Sequence, residues 1–97
     1  MFNFSVPINV LRCQGTRQFI VQSPALDISS CGKTESQAIK MFGEAAQLLL
    51  SELQRIGTID EVLEEMGWTK VRKPRVHWVP PELLHQKRVP LRVPAYA

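Results

Sequence analysis

Four basic residues lie close together in the C-terminal third of the sequence, and a tryptophan stands on either side of them. The basic residues are Lys70, Arg72, Lys73 and Arg75, and the tryptophans are Trp68 and Trp78. Such side chains could contact phosphates and stack on unpaired bases of a nucleic acid. The alternative is an exposed strand whose charges discourage aggregation, with the tryptophans packed in a core. We favour this alternative, because no helix-turn-helix or other recognition element is visible.

The net charge of +3 hides an uneven distribution. Residues 1–69 carry five basic and eight acidic side chains, whereas residues 70–97 carry seven basic side chains and a single acid, Glu82. This asymmetry indicates an anionic partner for the C-terminal part, either a nucleic acid or an acidic protein surface, including that of a second copy. The candidate contact residues are Lys70, Arg72, Lys73, Arg75, Arg88 and Arg92.

Residue types that could support catalysis are sparse and far apart. Asp27 is the only carboxylate in the region of predicted strands, so the paired acids of metal-assisted phosphodiester cleavage are missing. His77 and His85 are distant in sequence from the serines of the N-terminal half, which therefore lack a base. Cys13 and Cys31 have no metal-binding spacing and are expected to be reduced thiols, or a disulfide if their strands lie side by side. We expect a protein without enzymatic activity, metal or cofactor.

Composition favours one small domain with an appendage. Of the 97 residues, 44% are hydrophobic and 22% are charged, which is ordinary for a globular protein. No apolar run approaches the roughly 18–20 residues of a membrane span, and the N-terminal sequence lacks the basic region of a secretory signal peptide. A cytoplasmic protein with no membrane partner is expected.

The most regular segment runs from Thr34 to Ile56 and is predicted to be an amphipathic helix. Apolar residues recur at spacings of three and four, as on one face of a helix. Thr34 is a candidate N-cap, and Gly57 is placed to end the helix. The apolar stripe comprises Ala38, Phe42, Ala45, Leu49, Leu53 and Ile56.

The segment before this helix has the patterns of short strands. Residues 2–10 alternate between apolar and polar, and Pro7 would place this strand at an edge. A Gly-containing turn at Cys13–Thr16 leads into a second strand, 17–22, and a bend after Ser23 leads into a third, 26–31. A three-stranded antiparallel meander covered by the long helix gives an α+β fold of two layers.

A second, short helix is predicted after Gly57. Thr58 and Glu61 have the spacing of a capping box, and Gly67 is placed to end the helix. Trp68 is expected to pack back onto the helix or the edge of the sheet. The predicted domain therefore spans residues 1–69.

Residues 70–97 are predicted to form a basic, proline-rich extension. One helical turn is expected at Pro81–His85. Farther on, Val89, Leu91 and Val93 alternate with Pro90, Arg92 and Pro94, a pattern too rich in proline for a central strand. We predict a homodimer in which this segment adds to a sheet edge of the neighbouring subunit. The candidate residues for oligomerisation are Trp78, Val89, Leu91 and Val93.

The order of these signals resembles the HicB family of type II antitoxins, in a short form without a recognisable DNA-binding module. The resemblance covers about two thirds of the chain and runs through Phe4-Ser5-Val6-Pro7, Ser23-Pro24-Ala25-Leu26-Asp27-Ile28, Gly32-Lys33-Thr34 and Ala38. Within it, Gly32 is expected to supply a turn with positive φ, and Ala38 a small residue where helix meets sheet.

The resemblance implies a degenerate ribonuclease H-like fold and a non-catalytic role. Family members typically bind and block a small mRNA-cleaving toxin, here a HicA-like protein, while a C-terminal module binds the operator. This sequence has the basic extension where that module would be. Some short members look like stand-alone oligomers. The expected function is therefore antitoxin-like binding of a protein, and the alternative is nucleic-acid binding by the extension.

Overall fold

The computed structural model describes residues 5–95 and confirms the predicted α+β class. Three antiparallel strands form a sheet in the order β1-β2-β3, and a separate antiparallel hairpin, β4–β5, follows the helices. The elements are β1 (Asn9–Cys13), β2 (Gln18–Gln22), β3 (Ser29–Gly32), α1 (Glu35–Ile56), α2 (Ile59–Glu65), β4 (Thr69–Val71) and β5 (His77–Val79).

The long helix α1 begins and ends where the capping residues predict. The Thr34 hydroxyl accepts a hydrogen bond of 3.1 Å from the backbone N–H of Gln37, which satisfies one of the free donors of the first turn. Gly57, at φ 80°, takes the left-handed conformation that ends the helix. The buried face of α1 consists of Ala38, Phe42 and Ala46, and it packs on β2 and β3.

Gly32 is essential to the contact between α1 and the sheet, but not for the predicted reason. Its φ is not positive, so the expected left-handed turn is wrong. Instead, a Cβ at this position would lie 2.8 Å from the backbone nitrogen of Ala38, closer than real Cβ contacts occur. Glycine lets β3 lie directly against the start of α1, where Ala38 is fully buried.

The strand predicted over residues 2–10 is wrong in its position. Residues 2–4 lie outside the described part of the chain, residues 5–8 form no strand, and β1 begins only at Asn9. Val6 and Ile8 do pack against the core, but the Pro7 carbonyl accepts a hydrogen bond from the Ser23 hydroxyl at 2.9 Å. The apolar alternation therefore reports burial of a non-strand segment.

The third strand also begins later than predicted. Asp27 has a φ of 55°, and the residues before it form a turn, so extended backbone starts at Ser29. Leu26 and Ile28, which were expected on one face of the strand, contribute to the core from this turn.

The second helix begins after Thr58 and ends before Gly67, as predicted, but its N-terminus lacks the predicted capping hydrogen bonds. Thr58 makes no side-chain capping hydrogen bond, so the capping box is wrong. Gly67 has a φ of 93° just after the helix. Trp68 then packs back as expected: it is 3% exposed, and its Nε1–H donates to the Ala25 carbonyl at 2.7 Å.

The packed part of the chain extends beyond the boundary predicted at residue 69. The β4–β5 hairpin belongs to it, because Trp78 lies in the same core as Val21, Leu26 and Leu63. The predicted helical turn at Pro81–His85 is absent, and residues 80–95 form neither helix nor strand.

Residues 82–95, named the C-terminal arm from here on, are exposed throughout. The radius of gyration of 16.6 Å exceeds the about 12–13 Å expected for a compact chain of this length. The extents of 57 × 30 × 24 Å likewise describe an elongated molecule. Within residues 5–95, neither helix is long and apolar enough to cross a membrane.

Candidate interaction site at the β4–β5 hairpin and the C-terminal arm

Lys70 is held by its own chain. Its Nζ lies 2.9 Å from Asp60 Oδ2 and 5.7 Å from the centre of the Trp78 ring, and its side chain is only 19% exposed. An ammonium group that already has a carboxylate and an aromatic face beside it gains little from a phosphate. Lys70 thus joins β4 to α2, and its contact with a partner stays a prediction.

Arg72, Lys73 and Arg75 form the exposed tip of the hairpin, named the basic tip here. They lie in the turn between β4 and β5, which contains a cis peptide bond between Lys73 and Pro74. None of the three forms an ion pair with any residue in the range 5–95. The basic tip thus collects three positive charges that are free to meet an anion.

The two tryptophans do not belong to this exposed surface. Trp68 and Trp78 are 3% and 6% exposed, so neither ring can stack on a base. The prediction that Trp78 takes part in oligomerisation does not fit its position either, because its side chain is buried among residues of its own chain. The interpretation with core tryptophans, favoured from sequence, describes these two residues correctly.

The C-terminal arm carries the other predicted contact residues. Val89, Leu91 and Val93 are 76%, 82% and 77% exposed, and Arg88 and Arg92 are exposed beside them. The arm also presents Leu83 and Leu84 at 60% and 73% exposure. No residue of the arm makes a hydrogen bond or an ion pair within the part of the chain that the structure describes.

The two cysteines are too far apart for a disulfide. Cys13 ends β1 and Cys31 lies in β3, with β2 between them. Strands two places apart are separated by about 9–10 Å, beyond the Cα distance that a disulfide spans. Hydrogen bonds from the side chain and the backbone of Thr16 lower the pKa of the Cys13 thiol.

Groups that could hold a metal or perform catalysis are not assembled in the described residues. No three of the His, Cys, Asp and Glu side chains in residues 5–95 come together as a metal site. The hydroxyls of Ser23 and Ser30 are engaged, each donating to a backbone carbonyl, that of Pro7 and that of Ala38. His77 is at the hairpin, where Nδ1 lies 2.9 Å from the Arg75 carbonyl oxygen.

The sequence patterns did not indicate that β1 would be largely uncovered. β1 is the outer strand, and α1 lies over β2 and β3. Val10 is 39% exposed and Leu11 is 42% exposed, on opposite faces of the strand. The signal that could have indicated this is the absence of a second helix long enough to cover the rest of the sheet.

Three acidic residues lie together on α2, away from the basic residues of the C-terminal part. Glu61, Glu64 and Glu65 are exposed at helical spacing, and none of them pairs with a basic residue among those described. Together they form what is called here the acidic face of α2. The molecule therefore presents a basic tip and a basic arm as well as an acidic helix.

Comparisons of the chain with models of known protein families, with curated proteins and with solved structures give no match. Its function has to be argued from its own residues.

Proposed function

We propose that this chain is a non-enzymatic, HicB-like antitoxin-type protein that assembles as a homo-oligomer and acts by binding a small mRNA-cleaving toxin. The observation that carries the proposal is the C-terminal arm, whose large apolar side chains are 60–82% exposed. Five exposed large apolar residues within eleven positions of the chain favour contact with another protein.

The family part of the proposal is supported by the residues that carry the resemblance. Gly32, Thr34 and Ala38 meet at the junction of β3 and α1, where one permits close approach, one caps the helix and one is buried. The order of three antiparallel strands followed by a covering helix also agrees with the fold that the resemblance implies.

The acidic face of α2 supports the choice of partner. A protein that cleaves mRNA must bind phosphates and therefore has a basic surface. Glu61, Glu64 and Glu65 offer three carboxylates without partners in the described chain, and opposite charges across an interface speed association and fix its register. We place the toxin contact on this face.

Co-expression with a HicA-like, mRNA-cleaving toxin, taken from the neighbouring reading frame if that encodes one, tests the function. We expect a complex by affinity purification and rescue of growth. Replacing Glu61, Glu64 and Glu65 with Gln is expected to weaken the complex, whereas Glu35→Gln, on the first turn of α1, is the matched control with no expected effect. Absence of both complex and rescue for the natural chain would refute the proposal.

Assembly is tested separately by ending the chain after Pro81. Static light scattering is expected to show a dimer of the full chain, twice its 11.0 kDa, and a monomer of the shortened chain. If the shortened chain keeps the dimer mass, the arm is not the means of assembly.

Nucleic-acid binding is the second candidate, and the unpaired basic tip favours it. Three phosphate contacts from Arg72, Lys73 and Arg75 predict a log–log salt slope of about −2 to −3. Fluorescence anisotropy with a labelled oligonucleotide is expected to lose this slope when all three are changed to Ala, while Lys70→Ala leaves it unchanged, since Lys70 is held by Asp60. Equal binding by the triple variant and the natural chain rules this candidate out.

A further inference from the structure

We propose that residues 89–93 of one copy add as a fourth strand to the free edge of β1 in a second copy, with Val89, Leu91 and Val93 on the side of the sheet that carries α1. This inference rests on the proposed assembly through the C-terminal arm. It names the surface that receives the arm.

The arm has a complete set of backbone donors along one edge only. In an extended strand, alternate residues direct their backbone N–H and C=O groups to the same edge and their side chains to the same face. Pro90 and Pro94, which lack an N–H, share one edge of the strand with Arg92. Val89, Leu91 and Val93 share the other edge. The arm therefore has three complete donor–acceptor pairs on one edge and three apolar side chains on one face.

The edge of β1 meets these requirements. β1 is five residues long, equal to the segment 89–93, and is the outer strand on its side of the sheet. Val10 stands opposite the buried Val21, so its side chain lies on the α1 side, yet it is 39% exposed because α1 covers β2 and β3 instead. An added strand would cover Val10 with the apolar face of the arm. Arg12, which stands opposite the partly buried Phe19, lies on the same face, and its aliphatic stem would pack against that strand while its guanidinium group stays in water.

The other edge of this sheet is a poorer acceptor. β3 has only four residues, Ser29–Gly32, and none of them has a large apolar side chain. Its α1 side is already occupied, since the Ser30 hydroxyl donates to the Ala38 carbonyl at 2.8 Å and Gly32 lies against the helix. The apolar side chains of the arm would find no exposed apolar partner there.

The charge of Arg92 is compatible with the β1 edge. With the apolar residues on the α1 side, Arg92 would lie on the opposite face of the sheet. There β1 presents Asn9, Leu11 and Cys13, none of which is basic. No like charge would oppose the guanidinium group, and Arg92 would remain in contact with water.

Two matched pairs of variants test the inference by analytical ultracentrifugation of the full chain. Val10→Arg and Leu11→Arg place the same side chain at neighbouring positions of nearly equal exposure on opposite faces. We expect Val10→Arg to raise the dimer dissociation constant by roughly tenfold or more, because it replaces the one apolar side chain that β1 has on this face and puts a second charge, beside Arg12, under the added strand. Leu11→Arg is expected to change it by less than about threefold, as for an ordinary surface substitution.

The second pair lies in the arm, whose residues are exposed and make no hydrogen bond or ion pair within residues 5–95. Leu91→Pro removes an N–H that the pairing uses and is expected to dissociate the dimer. Arg92→Pro lies on the edge that already holds both prolines, so the dimer is expected to persist. Circular dichroism of each variant checks that the domain is folded.

The outcomes separate this inference from the proposed assembly. If truncation after Pro81 abolishes the dimer but the two members of each pair behave alike, the arm mediates assembly elsewhere and only this inference is overturned. If truncation leaves the dimer intact, or the full chain is a monomer, assembly through the arm fails with it. Toxin binding by the same variants reports on the antitoxin role independently.

Discussion

Two glycine-to-alanine substitutions are predicted to change stability in opposite directions. At Gly32, an added Cβ would lie 2.8 Å from the Ala38 nitrogen and 3.2 Å from its Cα. Both are backbone atoms at the start of α1, so the helix or the strand must shift. Overpacking of this kind costs about 1–3 kcal/mol. Gly32→Ala is therefore expected to lower the free energy of unfolding by that amount.

Gly43 provides the matched control within the same helix. It is exposed, and nothing lies within 4 Å of the position that its Cβ would take. Alanine in a helix interior is favoured over glycine by about 0.5–1 kcal/mol, mainly because a chain with alanine loses less conformational freedom on folding than a chain with glycine. Gly43→Ala is therefore expected to stabilise the protein.

Urea unfolding followed by circular dichroism, at one fixed protein concentration, measures both effects. The two variants should differ by about 1.5–4 kcal/mol, the range obtained by adding the two magnitudes. In a thermal scan, each kcal/mol should shift the melting temperature by about 4–8 °C. A Gly32→Ala protein as stable as Gly43→Ala would refute the idea that Gly32 sets the distance between β3 and α1.

Two further predictions concern the core and a thiol. Trp68→Phe removes the donor to the buried Ala25 carbonyl and is expected to cost about 1–3 kcal/mol in urea unfolding; a change below about 0.5 kcal/mol would contradict the role given to that hydrogen bond. Because hydrogen bonds from Thr16 lower the pKa of Cys13, more of this thiol is ionised at any given pH, and Thr16→Ala is expected to raise the pKa and slow alkylation of Cys13 by iodoacetamide at pH 8. Cys31 serves as the internal reference in the same mass spectra, and an unchanged ratio of the two rates would count against this.

The long helix could be predicted from sequence because its determinants are local. Thr34 caps through a residue three positions away, and Gly57 ends the helix by its own conformation. The apolar spacing identified Ala38 and Phe42 as buried without knowledge of what covers them. Such features depend on neighbours in the chain, which the sequence displays directly.

The first strand was misplaced because alternation reports burial and not pairing. Val6 and Ile8 are partly buried as the pattern predicts, but the hydrogen bond between Ser23 and Pro7 joins segments sixteen residues apart. The paired residues of β1 begin at Asn9. There two apolar residues, Val10 and Leu11, follow each other and break the alternation, and the structure shows both to be exposed.

The candidate site was only partly predictable for the same reason. The prolines of the arm correctly indicated that residues 89–93 form no central strand. The position of Lys70 did not, because it depends on Asp60 of α2 and on the Trp78 ring, contacts that exist only after folding. Trp78 was likewise assigned to the extension, although its core partners include Val21 and Leu26, far away in the sequence.

The unequal edges of the arm also determine how far assembly could proceed. A docked strand that still has free backbone N–H and C=O groups along its outer edge can pair with a further molecule, and repeated pairing builds a fibre. An arm docked on β1 would pair with the free edge of β1. Its own outer edge, which holds Pro90 and Pro94, would lack the N–H groups needed to pair with another strand. Two copies that exchange arms would satisfy each other, and the set would close at a finite size under two-fold symmetry. The prolines that make the segment a poor strand by itself would thus prevent the addition of further copies and limit the size of the assembly.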